Sequence, residues 1–414
     1  MGDPVELREW EAREIPLTSE GARLLAELAG KRLSVGVGST AGTWLVTATS
    51  HVGVFVTPDV ELLVRPKVPM HNLFLMLDVG LPAGAFDRKT FSFGSDRSLL
   101  AAIAQLFARS VEQTVGNGLV RSYRHDFDRL HTLRGRINIG HVVRHPGLPA
   151  PVPCDFDEYT SDIFENRVLR AALQRLLRVP GVQPVTRRTL SHGLGRFEEV
   201  ADVPIDVHAI DRVVYTRLNR HYRHPLRLAS LILRNLSLID RVGSADASAF
   251  TVDMNVLFQD WVTNRLTRHL RGRLRVVAEP PEHLGAGRKV PMYPDLELWA
   301  GDDLVYVADV KYKLTGSGLA RNADYYQILA YATALGLSEG LLIYCQADGS
   351  VPDREITVRH AGTSLRTHAL DLSGTPSQAE ESVRRLGDLL IDRALLTPSP
   401  EVKGGVRDGL RASR

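Results

Sequence analysis

Between residues 33 and 68 the chain runs through LSVGVG, TWLVTATSHVGVFVT and VELLVRPKV, β-branched and apolar stretches separated by short polar breaks. Such side chains suit a pleated, half-buried surface, and the Gly, Ser, Pro and Asp between them form turns, so the pattern predicts a small antiparallel β domain. Further on the period lengthens. In SLLAAIAQLFARSVEQTVG (98–116), Leu99, Ile103, Leu106 and Phe107 fall on one helical face, and Gly116 supplies a stop. SDIFENRVLRAALQRLLRVPG (161–181) repeats the form, with Ser161 or Asp162 as the cap and Pro180 as the end. A third helical stretch is expected over roughly 209–239, carrying Leu226, Leu228, Ile232, Leu233 and Leu236. The middle third therefore reads as mainly helical.

VGSADASAF (242–250) reads as a small-residue linker, followed by a helix whose apolar face is Met254, Leu257, Phe258, Trp261, Val262 and Leu266. Beyond 274 the order is strand, strand, strand, helix, strand: LRVVAE, VPMYPDLELW, DLVYVADVKYK, NADYYQILAYATALG and GLLIYC. That order predicts a mixed sheet with a crossover helix. EITVRH and LRTHALDL add edge strands, and QAEESVRRLGDLLIDRALL a closing helix. The expected fold class is α+β and multidomain: a β-rich domain over 1–95, a helical connector over 96–245, an α/β domain over 246–395 and a tail over 396–414.

Composition narrows the class only modestly. At 414 residues, with 44% hydrophobic and 24% charged positions, the chain has the make-up of ordinary globular domains. The net charge of +3 rests on 51 basic and 48 acidic residues, so a nucleic-acid partner is permitted without being demanded. The two cysteines, Cys154 and Cys345, are too few and too far apart for a disulfide framework or a CxxC metal site. No apolar run reaches eighteen residues and the N-terminus lacks an apolar signal core, so a cytoplasmic protein without a membrane partner is expected.

The chemistry concentrates in PDLELWAGDDLVYVADVKYK (294–313), where two of only seven lysines, against forty-four arginines, close a strand. Alternate strand residues share a face, which sets Asp309 and Lys311 ~6.6 Å apart between Cα atoms and side by side. Asp303, Val305 and Val307 precede them on that face, and Asp295 and Glu297 form a second same-face pair beyond an AGDD turn. If these strands pair, two or three carboxylates and an amine converge. Carboxylate ligands that leave open positions suit Mg2+ or Mn2+, which can stabilise both oxygens of a phosphodiester under attack. The lysine could orient water, take its proton or neutralise transition-state charge, whereas arginine could not serve as a base. Sixteen residues after Lys311, Gln327 and Tyr331 stand at i and i+4 on one helical face.

PD, DVK and QILAY together resemble the PD-(D/E)xK nuclease signature followed by the RecB-like QxxxY motif. VELLVRPKV, LRGRINIGHVV (133–143), YTSDIFENRVLRAAL (159–173) and MNVLFQDWV (254–262) extend the likeness over nearly the whole chain, to the McrC family of nuclease subunits. The resemblance implies a restriction-endonuclease-like C-terminal domain and an N-terminal domain that docks on a partner. That partner would be an McrB-like AAA+ GTPase ring, and the substrate double-stranded DNA containing a modified cytosine such as 5-methylcytosine. It further implies a metal held by Asp295, Asp309 and the backbone of Val310, a catalytic Lys311, and Gln327 and Tyr331 as support or DNA contacts. The family usually carries Glu where Gln259 stands here, so Gln259, with Glu297, is a supporting candidate without the expected charge.

Residues 121–145 hold six arginines and four histidines against two aspartates. Arg124, Arg134, Arg136 and, farther on, Arg268 are candidate contacts to DNA phosphates or to the partner, and a solvated basic surface is the plainer alternative. Tyr215 and Tyr222 could stack on bases, or pack between helices. His221 and His224 read as surface residues. No GxxxxGK[ST] loop occurs, so no nucleotide is expected on this chain. Two other readings remain open: a RecB-like nuclease that acts without a GTPase, and a catalytically lapsed adaptor that only activates the ring.

Overall fold

The apolar runs near the N-terminus build two sheets. In the computed structural model, residues 4–77, 99–145, 147, 151–179, 182–239, 247–312, 322–347 and 353–396 are described. They divide into two compact units, one of residues 4–65 and 99–252, the other of 66–77 and 253–396. Of the tail expected over 396–414, Leu396 ends a helix, and residues 397–414, like Lys313, lie outside the described residues.

In the first unit, β1 (Val5–Arg8), β2 (Ala12–Pro16), α1 (Ser19–Ala29), β3 (Leu33–Val37), β4 (Thr43–Ala48), β5 (His51–Val56) and β6 (Glu61–Arg65) follow one another. Strands β2, β4 and β3 make an antiparallel sheet. β5 and β6 join a second sheet, where β1 lies parallel to β6. Helix α1 starts where the Thr18 hydroxyl accepts the Gly21 N–H at 2.9 Å, and buries Leu24, Leu25 and Leu28 among Ile15, Val46, Phe55 and Leu62. α2 (Met70–Leu77) belongs to the second unit.

The first unit continues through α3 (Leu99–Gly116), β7 (Ser122–Leu130), β8 (Arg136–Ile137), α4 (Ile139–Arg144), β9 (Val152–Thr160), α5 (Phe164–Leu177), α6 (Pro184–Gly195), α7 (Arg223–Asn235), β10 (Leu236–Ile239) and β11 (Ala247–Asp253). Here the structure departs from several expectations. The basic run over 121–145 contributes two strands, β7 and β8, both antiparallel to β9, and the short helix α4. The helix expected from 209 starts at Arg223, after two short segments of 3-10 helix, Val207–Arg212 and Arg220–Tyr222. Part of the expected linker is strand β11, in the sheet order β1-β6-β5-β11-β10. Neither Ser161 nor Asp162 caps α5. Ile163 holds that position without a side-chain cap, while the Asp162 carboxylate accepts two bonds of 2.6 Å from Arg167, one of 2.5 Å from Arg124 and the Ala201 N–H at 2.9 Å. The Arg167 guanidinium above all holds that carboxyl far below the usual range.

For Tyr222 the packing alternative holds, and the surface reading of His224 changes. Tyr222 is fully buried and its hydroxyl donates to Asn166 at 2.7 Å, so it is a core pin and not a stacking platform. His224 shares a 2.9 Å hydrogen bond with Ser110, and burial lowers its pKa to about 4. It is half-buried rather than an exposed surface residue.

At Gly53 the backbone has φ 145°, and a Cβ there would stand 2.0 Å from the Phe250 carbonyl oxygen. Replacing Gly53 by Ala is expected to cost about 2–4 kcal/mol, by steric conflict plus backbone strain. Urea melts of the two proteins check this, and equal midpoints would refute it.

In the second unit α8 (Met254–His269) precedes β12 (Arg275–Ala278), β13 (Glu282–His283), β14 (Pro291–Met292), β15 (Leu296–Ala300), β16 (Asp303–Lys311), α9 (Asn322–Ala334), β17 (Glu339–Gln346), β18 (Arg354–Thr357), β19 (Ser364–Asp371) and α10 (Pro376–Leu396). The single strand expected over 290–299 is broken at Tyr293 and Pro294, since proline cannot donate to a ladder. The sheet order is β12-β15-β16-β17-β19-β18. β15 is antiparallel to β16, and β17 is parallel both to β16 and to β19, with α9 as the crossover. β19 is thus interior and only β18 forms that edge.

Helices cover both faces. Val307 and Leu342 pack with Ile328 and Tyr331 of α9. Tyr312, of opposite parity, meets the Phe258 ring of α8 at 5.9 Å. Among the described residues no helix is long and apolar enough to cross a membrane.

Candidate active site

The register of β15 and β16 pairs Leu296 with Ala308, which sets Asp295, just before β15, across from Asp309. Asp309 is fully buried and the side chain of Asp295 is 14% exposed. Asp295 is held by the Val310 N–H, which donates to its Oδ2 at 2.7 Å. The Lys311 ammonium donates to Asp309 Oδ1 at 2.8 Å and lies 4.0 Å from Asp295. Burial and the facing Asp309 push the Asp295 pKa up to about 6; burial likewise raises that of Asp309. Burial alone would lower Lys311, but the charges of Asp309, Asp295 and Asp324 outweigh it and keep the amine above its ordinary value. In this geometry Lys311 is an ammonium, suited to orienting water and neutralising charge, and not a free base.

Helix α9 closes the site from the sheet face that carries Asp309 and Lys311. Gln327 donates to the Tyr331 hydroxyl at 2.8 Å, and that hydroxyl donates to the Tyr293 carbonyl at 3.3 Å. Burial raises the Tyr331 pKa, and the charges of Asp309, Lys311 and Asp295 all act on its hydroxyl. Asp295, Asp309, Lys311, Gln327 and Tyr331, spread over residues 295–331 of the sequence, therefore come together within one sheet-and-helix corner.

The remaining sequence candidates fall elsewhere. Glu297 is 2% exposed and accepts the Trp299 indole N–H at 3.1 Å; burial and the charge of Glu282 raise its pKa. The register shift between Leu298 and Trp299 interrupts the alternation on which Asp303 was aligned with Asp309. Gln259 donates its amide to Glu279 at 2.9 Å, and Glu279, at φ 45°, gives its own N–H to the Asp295 carbonyl at 3.1 Å. Gln259 thus stands one residue removed from the carboxylates, so Gln259→Ala is expected to lower cleavage less than tenfold. A loss of a hundredfold or more in a cleavage assay would place it in direct service of the reaction.

Arg124 is committed to Asp162, Asp126 and Glu158, and Arg134 stacks over Phe156 at 4.3 Å and pairs with Glu158. Arg136 and Arg268 are exposed. The basic run is therefore partly neutralised by its own sheet.

A divalent cation fits the donor set. Among the described residues no group of three or more His, Cys, Asp or Glu side chains forms a ligand cluster, so a cation here would be held by the two carboxylates Asp295 and Asp309, with the Val310 carbonyl as the third ligand that the family resemblance implies. The Lys311 ammonium lies 2.8 Å from Asp309 Oδ2 as well as from Oδ1, and two carboxylates confronting one another in a largely buried corner with a single amine are an arrangement that a cation would relieve. Asp324 was missed by the sequence reading. It is 4% exposed on the first turn of α9 and accepts the Tyr344 hydroxyl at 3.0 Å; its signal was its place three residues before Gln327 on the same face.

A family model described as the McrBC 5-methylcytosine restriction system component matches residues 46–345. Among solved structures, a refined half-complex from a tetradecameric assembly of Thermococcus gammatolerans McrB AAA+ hexamers with bound McrC contains a chain similar to this one. The TM-score is 0.60 at 20% identity, covering 93% of this chain and 100% of that one. A cryo-EM structure of the Thermococcus gammatolerans McrBC complex is similar over 64% of this chain and 88% of that one, at 23% identity and TM-score 0.44. No curated protein matches.

Proposed function

Since the chain belongs to the McrBC 5-methylcytosine restriction system component family, we propose that it is the nuclease subunit of such a system, an McrC-like endonuclease that cuts DNA when assembled with an McrB-like AAA+ GTPase ring. The McrC side of the pair is favoured because the sequence has no phosphate-binding GxxxxGK[ST] loop and does carry the PD, DVK and QILAY signature. The observation that carries the reading is the convergence of Asp295, Asp309 and Lys311 beneath Gln327 and Tyr331.

In the proposed reaction a water oxygen forms a bond to phosphorus as the bond from phosphorus to O3′ breaks. The leaving oxygen takes a proton, giving a 3′-hydroxyl and a 5′-phosphate. A bound Mg2+ or Mn2+, held by Asp295, Asp309 and the Val310 carbonyl, would supply charge stabilisation for the attacking and leaving oxygens. Lys311 orients the attacking water and offsets charge on the phosphate. Gln327 and Tyr331 fix the wall of the site through their mutual hydrogen bond. The ring GTPase supplies the nucleotide chemistry that this chain lacks.

The deciding experiment mixes the protein, with and without an McrB-like ring, with methylated and unmethylated plasmid in Mg2+ and GTP or ATP. Cleavage that needs both ring and methylation is expected. Cutting without the ring would turn the reading to a free-standing nuclease, and stimulated GTP hydrolysis without cutting to an adaptor.

A further inference from the structure

The amine of Lys311 has a difficulty that the site described so far leaves open. Its 2.8 Å partner, Asp309, and its 4.0 Å neighbour, Asp295, are the same carboxylates that would hold a cation. Once they do, their charge is shared, and the ammonium faces a like charge at close range. Without another anion nearby, Lys311 would be driven away from the position its role requires.

Asp324 has the placement to prevent this. Lys311 and Tyr344 are partners in the parallel register of β16 and β17, so the phenol stands directly beside the lysine strand. Tyr344, 6% exposed, donates its hydroxyl to Asp324 Oδ2 at 3.0 Å and so fixes that carboxylate. Asp324 is on the first turn of α9, where the helix dipole favours an anion, and its charge is felt by both Lys311 and Asp309. A carboxylate 4% exposed in such a corner is costly unless its charge is used. Resting on the nuclease reading above, we infer that Asp324, oriented by Tyr344, is a positioning residue: the standing counter-charge that keeps the Lys311 ammonium in place when Asp295 and Asp309 engage a cation.

The test compares wild type with Asp324→Asn, Asp324→Glu, Tyr344→Phe and Asp309→Ala, each as the full chain with its ring partner on methylated plasmid. Mn2+ binding to each chain is measured by calorimetry without DNA, and melting temperature reports folding. Asp324→Asn is expected to lower kcat by about a hundredfold or more, with KM for plasmid and Mn2+ affinity within about threefold of wild type. Asp324→Glu, which restores the charge, should recover at least tenfold of that loss. Tyr344→Phe should lose about tenfold, because the carboxylate keeps its charge but not its fixed orientation.

Wild-type kcat in a folded Asp324→Asn protein would overturn the inference, reducing the pair to a buried structural contact. So would loss of Mn2+ binding in that variant, which would make Asp324 a ligand. Should Asp324→Asn fail to fold, Tyr344→Phe decides the matter, and an unchanged kcat there refutes it. If wild type and Asp309→Ala are equally inactive on plasmid, the nuclease reading itself has failed, and the inference fails with it. If Asp309→Ala alone abolishes cutting while Asp324→Asn does not, the reading stands and the inference falls.

Discussion

Asp309→Ala and Lys311→Ala are each expected to abolish plasmid cleavage, by about a thousandfold or more, while leaving the proposed assembly with a ring GTPase and stimulation of its hydrolysis intact. The size follows from what each change removes: one of two carboxylates for the cation, or the only amine in bonding contact with them among the described residues. The sparing of assembly is expected because the side chains of both residues are directed at the α9 corner, with 1% and 23% exposure. Cleavage by either purified variant within tenfold of wild type would reject the assignment. Loss of ring binding along with cleavage would show that the substitution damages the unit as a whole.

Asp295→Asn should make the metal-free protein more stable at pH 7 while removing cleavage. The Asp295 carboxyl is raised to about 6 by burial and by Asp309, against 3.8 when unperturbed. A group whose folded pKa is raised lends stability that is complete below pH 3.8 and is lost as pH climbs through 6. At neutral pH the wild type therefore carries an ionised, largely buried Asp295 beside Asp309, whereas asparagine stays neutral and can still accept the Val310 N–H. The gain should be on the order of 1–2 kcal/mol at pH 7 and should vanish near pH 4. Urea melts at the two pH values measure it. A further contrast checks the cause: millimolar Mg2+ should raise the wild-type melting temperature at pH 7 and leave Asp295→Asn unmoved. A variant less stable than wild type at pH 7 would mean that the pair is not mutually destabilising.

The two expectations express one property. In the proposed mechanism a cation would relieve the unfavourable electrostatics of the site, so stability and activity are expected to respond in opposite directions to Asp295→Asn. Lys311 belongs to this balance. Its scarcity as a lysine suggested an amine able to give up a proton, yet the surrounding carboxylates hold it charged. Orientation and charge neutralisation are accordingly the roles assigned to it.

How much of this was legible along the chain depended on the range of the forces involved. Strand alternation and helical period are local, so the sharing of one face by Asp309 and Lys311, and of another by Gln327 and Tyr331, could be read from spacing alone. The order of motifs also pointed to the family and to the α/β character of residues 274–346. Features set by cross-strand register or by burial could not be read that way. The bulge between Leu298 and Trp299 took Asp303 out of alignment, Pro294 divided a strand, and β9 drew the basic run into a sheet where Arg124 and Arg134 find acidic partners. Asp324 looked like an ordinary first-turn acid until the pairing of Lys311 with Tyr344 brought the phenol to it. The sequence by itself determined which residues have the chemistry and which share a face, because both follow from side-chain type and backbone period. Only the tertiary structure decided which charges confront one another in a largely buried site, because that is a property of neighbours brought together from distant parts of the chain.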